Sequence, residues 1–189
     1  IEVGENRSGI IEEKGFASLI EFIKSCKNVN LKGIFSHEGH TYGVKSIEEL
    51  KLKFIESQTR TLKFAKIARE LGLQLDVISI GATPPTMHNL PILNGITEIR
   101  PGTYILMDVG QGNAIGSYDR CAATILTTVI SRPTAERVIT DVGAKGITMQ
   151  TRQKGICATR GLGYIKDYHI YVDRVYDEHA IIYNKEFRK

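Results

Sequence analysis

Residues 76–108 read DVISIGATPPTMHNLPILNGITEIRPGTYILMD, and the fold turns on how this stretch is read. Val77 to Ile80 is an apolar run of strand length that breaks into a small-residue turn, Gly81-Ala82-Thr83-Pro84. A second strand is predicted over 97–107, with Arg100 on its way in and Tyr104 near its middle. Small residues directly after a strand let main-chain N–H groups approach an anion, because no Cβ stands in the way, and Thr83 adds a hydroxyl donor. Strand ends of α/β barrels are a usual seat for phosphate. The turn is therefore read as the place of a phosphorylated cofactor.

Working outward toward the N-terminus, 73–80 completes the strand that feeds this turn. Before it comes a long helix opened by a capping box, Ser46 followed by Glu49. Ile47, Leu50, Phe54, Ile55, Leu62, Ala65, Ile67 and Leu71 form its apolar stripe, and Gly72 closes it as a left-handed cap. Upstream, LKGIFS (31–36) is a short strand ending in the polar loop His37-Glu38-Gly39-His40-Thr41-Tyr42-Gly43. His37 and His40 lack a third nearby ligand, so a metal is a weak reading. A loop so rich in polar and aromatic groups after a barrel-type strand points to substrate or cofactor. The loop is expected to be exposed. Phe16, Leu19, Ile20, Phe22 and Ile23 space a helix over 15–26, and IEVGENRSG (1–9) reads as a strand end entering a turn that carries Arg7. Strands and helices alternate, with about four strands of the parallel type, which marks parallel α/β architecture.

Toward the C-terminus the pattern changes. GQGNAIGSYDR (110–120) is loop-like and reads as a domain boundary. Beyond it, β-branched alternation predicts strands at 121–131 and 136–142 around a turn at 132–134. Further strands follow at 155–159, 169–173 and 180–183, so this part reads as an antiparallel β domain. The domains are set at 1–115 and 116–189.

Composition narrows the function classes. There are 25 basic residues against 21 acidic ones, and no basic run interleaved with aromatics, so no nucleic-acid partner is expected. Three cysteines (Cys26, Cys121, Cys157) without CxxC spacing argue against a disulfide framework or a zinc ribbon and for a reducing compartment. With no apolar run of membrane-spanning length and no charged-then-apolar leader, the expectation is a soluble, cytoplasmic protein with no membrane partner.

Six segments carry a resemblance: VGENRSG (3–9), GIFSHEGHTYG (33–43), SIGATPPT (79–86), ITEIRPGTYILMD (96–108), TTVISRPTAERVITDVGAKGI (127–147) and DEH (177–179). In this order they resemble the D-threonine aldolase and D-serine dehydratase group of the alanine-racemase-like enzymes, which use pyridoxal 5'-phosphate. The resemblance implies an α/β fold: part of a cofactor-binding (β/α)8 barrel of the alanine racemase type, followed by an antiparallel β domain. It implies that Gly81, Ala82 and Thr83 bind the cofactor phosphate and that Arg100 faces the pyridine nitrogen. Arg7 and Tyr104 would lie beside the cofactor, Tyr42 would serve both cofactor and catalysis, and His40 and His179 would be catalytic. The residue-level alternative for Arg100 is a structural arginine paired with Glu98 or Asp108.

The resemblance further implies a lyase acting on small D-β-hydroxy amino acids, of the aldolase or the dehydratase type, with a divalent metal (zinc or manganese) acting at the substrate hydroxyl. A racemase on the same scaffold and a non-catalytic pyridoxal phosphate-binding protein are the alternatives. The lysine that holds the cofactor covalently is expected before residue 1, and the metal-binding pair after residue 189. No metal ligand is assigned within the chain, and the chain is expected to be part of a longer molecule. A homodimer is left open.

Overall fold

The computed structural model describes residues 1–185, which divide into two compact units, Ile1–Tyr104 and the residues from Ile105 on. Each is built around its own apolar cluster.

In the first unit, α1 (Glu13–Ser25) is followed by β1 (Gly33–Phe35) and a 3-10 turn over Gly39–Gly43. Then come α2 (Ile47–Glu70), β2 (Val77–Ile80), the short α3 (Thr83–Met87) and β3 (Glu98–Ile99). The strands form a parallel sheet in the order β1-β2-β3, with Ile34 opposite Ile78 and Ile80 opposite Ile99. Right after β1 and β2, the chain turns into the polar segments singled out above. Phe16 and Ile20 of α1 meet Phe64, Ala65 and Ala68 of α2 over Ile34 and Ile78, with the Phe16 and Phe64 rings edge-on at 5.0 Å. Ser46 caps α2 by accepting the Glu49 N–H at 3.2 Å, and Gly72 is left-handed (φ 85°).

Several expectations are corrected here. The strand predicted over 97–107 is only two residues long. Arg100 N–H still donates to the Ile80 carbonyl at 2.8 Å, but Pro101 has no N–H to continue the ladder, and Thr103–Ile105 coils into a 3-10 turn. Tyr104 therefore lies in that turn and not in a strand. No strand is assigned at 1–4, so the first unit has three strands among the described residues instead of about four. The buried face of α2 is Leu50, Phe54, Ser57, Gln58, Thr61, Phe64, Ala65 and Ala68, so polar residues occupy part of the predicted apolar stripe and Ile47 lies outside it.

In the second unit, α4 (Val109–Ile115) precedes β4 (Val129–Thr134), β5 (Arg137–Thr140), β6 (Tyr164–Ile165), β7 (Ile170–Tyr171), β8 (Arg174–Val175) and β9 (Ala180–Tyr183). An antiparallel sheet runs β4-β5-β9-β8, and β6 pairs with β7. Ala180 and Ile182 point inward with Val175, Ile170 and Val172, the period of two expected of a strand with one face buried.

The loop predicted at 110–120 is in part a helix. Asp108 caps α4 through the Gln111 N–H, and a Cβ on Gly112 would stand 2.3 Å from the Tyr118 ring. This glycine answers close packing, not a loop. Residues 121–128 are irregular, with Leu126 almost wholly exposed, so the alternation there marks no buried face. Residues 132–134 belong to β4 instead of a turn. Pro133 is tolerated because β4 is an edge strand with register shifts. The strand predicted at 155–159 is a turn, and that at 169–173 shrinks to β7 because His169 is left-handed (φ 55°).

Candidate active site

The chain leaves β1 through Ser36, whose N–H donates to the Ser79 carbonyl at 3.0 Å, extending the β1–β2 pairing by one residue. Glu38 follows and is 0% exposed. Its main-chain carbonyl accepts from the Thr41 N–H at 3.0 Å and the Thr41 hydroxyl at 2.5 Å, which starts the 3-10 turn that carries Tyr42. Its carboxylate accepts the Ser36 hydroxyl at 2.5 Å and, 43 residues on, the Gly81 N–H at 2.7 Å.

Beyond Gly81, Ala82 is the extended cap residue of α3, and Thr83, Pro84 and Pro85 form its buried first turn. Proline suits this position because the first N–H groups of a helix have no intrahelical partner. The Thr83 N–H donates to the Tyr42 hydroxyl at 3.4 Å. The Thr83 hydroxyl is fully buried and has no hydrogen-bond partner among the described residues. Buried hydroxyls are seldom left unsatisfied, so this one, beside a phenol and a turn amide, is a donor still in need of an acceptor.

Arg100 reaches the same strand ends. Its Nε donates to Ser79 Oγ at 2.7 Å, and its terminal nitrogen donates to the Ser36 carbonyl. The guanidinium lies 5.0 Å over the Phe35 ring and 3.9 Å from Glu98, whose carboxylate also takes the Ser79 hydroxyl. The alternative pairing with Glu98 is thus present, while the side chain keeps 37% of its surface exposed. A Cβ on Gly81 would meet the Arg100 Cβ and carbonyl at 3.0 Å. The lack of a side chain at 81 admits Arg100, and the Gly81 amide serves Glu38.

Tyr42, Gly81, Ala82, Thr83 and Arg100 therefore gather at the ends of β1 and β2. Tyr42 is only 9% exposed, which corrects the expectation that its loop is open to solvent. Arg7 is exposed on the neighbouring 1–9 loop and lines a small cleft with Glu5, Phe35 and His37. Burial acts to raise the Glu2 carboxyl, but N–H donors from Gly4, Asn6, Arg7 and Glu5 outweigh it and hold the carboxyl below the ordinary range, pinning this loop. The His40 ring packs on Gly4, with Nε2 3.4 Å from Ser57 Oγ. Burial pushes His40 below its ordinary value, opposed by Glu38, Glu5 and Glu2 and aided by Lys53. Tyr104 is half exposed at the end of the first unit. His179 belongs to the second unit, where its ring stacks on Tyr176 at 4.9 Å.

The residues missed by sequence reasoning are Ser36, Glu38, Thr61 and Ser79. Thr61 on α2 donates within 2.9 Å of Ser36 Oγ. A signal existed: Ser57, Gln58 and Thr61 fall on the helical stripe that also holds Leu50, Phe54 and Phe64, so they had to be buried and in need of partners.

The donors fit a phosphate ester: an unpartnered Thr83 hydroxyl, the Tyr42 phenol and a guanidinium close to the same strand ends. They do not fit a metal ion. No group of three or more His, Cys, Asp or Glu able to hold one exists among the described residues. Nor is any helix among them long and apolar enough to cross a membrane.

The model of the family described as alanine racemase, N-terminal domain, matches residues 1–109, more than half of the chain. The chain belongs to that family. Behind its alanine racemase N-terminal domain, a serine dehydratase domain matches residues 122–188. D-threonine aldolase of Arthrobacter sp is 26% identical over 188 residues, covering 96% of this chain and 46% of that protein. D-serine dehydratase of Schizosaccharomyces pombe is 30% identical over 210 residues, covering 98% and 48%. The chain thus spans about half the length of the curated relatives it matches.

Among solved structures, D-threo-3-hydroxyaspartate dehydratase from Delftia sp. HT23 superposes with a TM-score of 0.83 at 22% identity, covering 98% of this chain and 51% of that one. D-threonine aldolase from Filomicrobium marinum superposes with a TM-score of 0.71 at 19% identity, covering 98% and 48%. These likenesses establish the fold of the alanine-racemase-like pyridoxal phosphate proteins, an α/β fold.

Proposed function

We propose that this chain forms the phosphate-binding and substrate-facing part of a pyridoxal 5'-phosphate-dependent lyase acting on small D-amino acids with a β-hydroxyl. The observation that carries the reading is the fully buried, unpartnered Thr83 hydroxyl beside the Tyr42 phenol at the end of β2. Relatives support it: D-threonine aldolase, D-serine dehydratase and D-threo-3-hydroxyaspartate dehydratase are named for D-amino acids that all carry a hydroxyl on Cβ.

In this reading the Thr83 hydroxyl, Tyr42 and Ala82 hold the phosphate, Gly81 gives its N–H to Glu38 and leaves room for Arg100, and Arg7 and Tyr104 border the cofactor. Arg100 stands toward the pyridine ring. Arginine stays charged at any working pH and cannot take up a ring proton, so it would leave that nitrogen a hydrogen-bond acceptor. When bound, the cofactor supplies an electron sink for bonds broken at the α-carbon of an amino acid. The chain's own work is to bind and orient. Tyr42 and Thr83 anchor one end of the cofactor; of the histidines, His40 in the first unit and His179 in the second each keep the catalytic role that the resemblance implies. That a metal serves the whole protein is supported by a structure of the related dehydratase described in its metal-free form. Among the described residues no group of three or more His, Cys, Asp or Glu could hold it.

The test uses full-length protein, incubated with D-serine, D-threonine and L-alanine, with and without a chelator, while the cofactor's visible absorbance is followed. Release of a 2-oxo acid with ammonia, or of glycine with an aldehyde, is expected from a D-substrate and is suppressed by the chelator. Racemisation of L-alanine that ignores the chelator would replace the lyase with a racemase. Cofactor absorbance without turnover would leave a binding protein.

A further inference from the structure

We propose that Glu38 is a positioning residue for the phosphate turn, locking the chain segment that presents Tyr42 onto the one that presents Thr83. This rests on the reading of 81–83 as a phosphate seat, and it adds a residue that the seat itself does not contain.

Glu38 is fully buried, and a carboxylate can only accept, so each of its contacts has to be supplied by a neighbour's donor. Ser36 O–H and Gly81 N–H supply them. Thr61 Oγ1 lies 2.9 Å behind Ser36 Oγ and 2.9 Å from the Ser57 carbonyl, and the Ser36 proton goes to the acceptor-only Glu38 carboxylate. The main-chain carbonyl of the same residue anchors the Thr41 N–H and hydroxyl, and with them the turn that carries Tyr42. One residue thus grips the segments on both sides of the Tyr42–Thr83 hydrogen bond, Thr41 by its backbone and Gly81 by its side chain.

The sign of the charge supports a geometric role. A carboxylate is the wrong charge to place next to a phosphate seat for attraction, so its use there is the grip on the Gly81 amide. Arg100, bonded to the Ser36 carbonyl, brings a positive charge to the same strand ends. Sites of this kind need supporting groups that hold the contacting residues to within about half an ångström.

The experiment titrates cofactor-free, full-length protein with pyridoxine 5'-phosphate and with pyridoxine, followed by calorimetry. Neither ligand can bond covalently to a lysine, and they differ only in the phosphate. Wild type is expected to prefer the phosphate ester. Glu38→Ala is expected to lose about tenfold of that preference, the scale of one buried hydrogen bond left unmade. Glu38→Gln, whose amide oxygen still accepts from Gly81, is expected to restore most of it.

No preference in wild type would remove the phosphate reading of the turn itself. A wild-type preference that survives intact in a folded Glu38→Ala protein would overturn the role of Glu38 alone. Should Glu38→Ala fail to fold, Ser36→Ala decides: a severalfold drop in the preference supports the grip, and an unchanged ratio overturns it. A change in stability alone would leave the ratio of the two affinities where it was.

Discussion

Replacing Thr83 by valine is expected to raise the stability of the cofactor-free protein while weakening its hold on pyridoxal phosphate. Thr83 is 0% exposed, and its hydroxyl has no hydrogen-bond partner among the described residues. A buried hydroxyl left unsatisfied costs about 1–3 kcal/mol, and a methyl group of nearly the same size removes that cost. For a unit of the size of Ile1–Tyr104, each kcal/mol moves the melting temperature by roughly 4–8 °C, so an upward shift of several degrees is expected. The same change deletes a hydrogen bond to a charged group, worth about 1.5–3 kcal/mol, or roughly a 10- to 100-fold loss of cofactor affinity. Thermal melts with and without pyridoxal phosphate, with a calorimetric titration, read both signs at once. A variant that melts at or below wild type without cofactor, yet binds pyridoxal phosphate as wild type does, would refute the seat.

Tyr42→Phe leaves the buried Thr83 N–H without its acceptor, so a loss of about 1 kcal/mol of stability and weaker cofactor binding are expected. Unchanged melting and binding would count against the pair. Gly81→Ala places a methyl 3.0 Å from the Arg100 backbone and Cβ and is expected to push β3 off β2, costing about 1–3 kcal/mol; a native melting curve would contradict it. His40 titrates below its ordinary value of 6.5 in the folded chain, chiefly through burial. Between that value and its lower native one the unfolded chain binds more protons, so stability falls as pH drops through this window and levels off beneath it. His40→Gln should flatten that part of the melting-temperature profile, and a profile identical to wild type would clear His40 of the effect.

Much of the first unit was legible because its signals are local. The apolar run of β2, the Ser46 cap and the left-handed Gly72 are each written within a few residues, and each stands where the periodicity puts it. The strand over 97–107 was over-read because its apolar residues resemble a ladder, while Pro101 removes the donor a ladder needs. In the second unit, β9 was placed at its bounds, but the glycines of α4 were mistaken for loop residues because packing against Tyr118 leaves no trace in local sequence. The small-residue turn at 81–83 could be singled out from its composition as a place where main-chain donors matter. Which of its groups are free could not be read there.

From sequence alone came the alternating order of helices and parallel strands, the change to β structure in the C-terminal part, and the segments where chemistry gathers. Tertiary structure alone decided that Glu38 is buried, that it takes the Gly81 amide, that Arg100 leans on the Ser36 carbonyl, and that the Thr83 hydroxyl is left over. The reason is separation along the chain. The bonds that settle these roles join residues 41 to 64 positions apart, and no periodicity or spacing rule reaches that far.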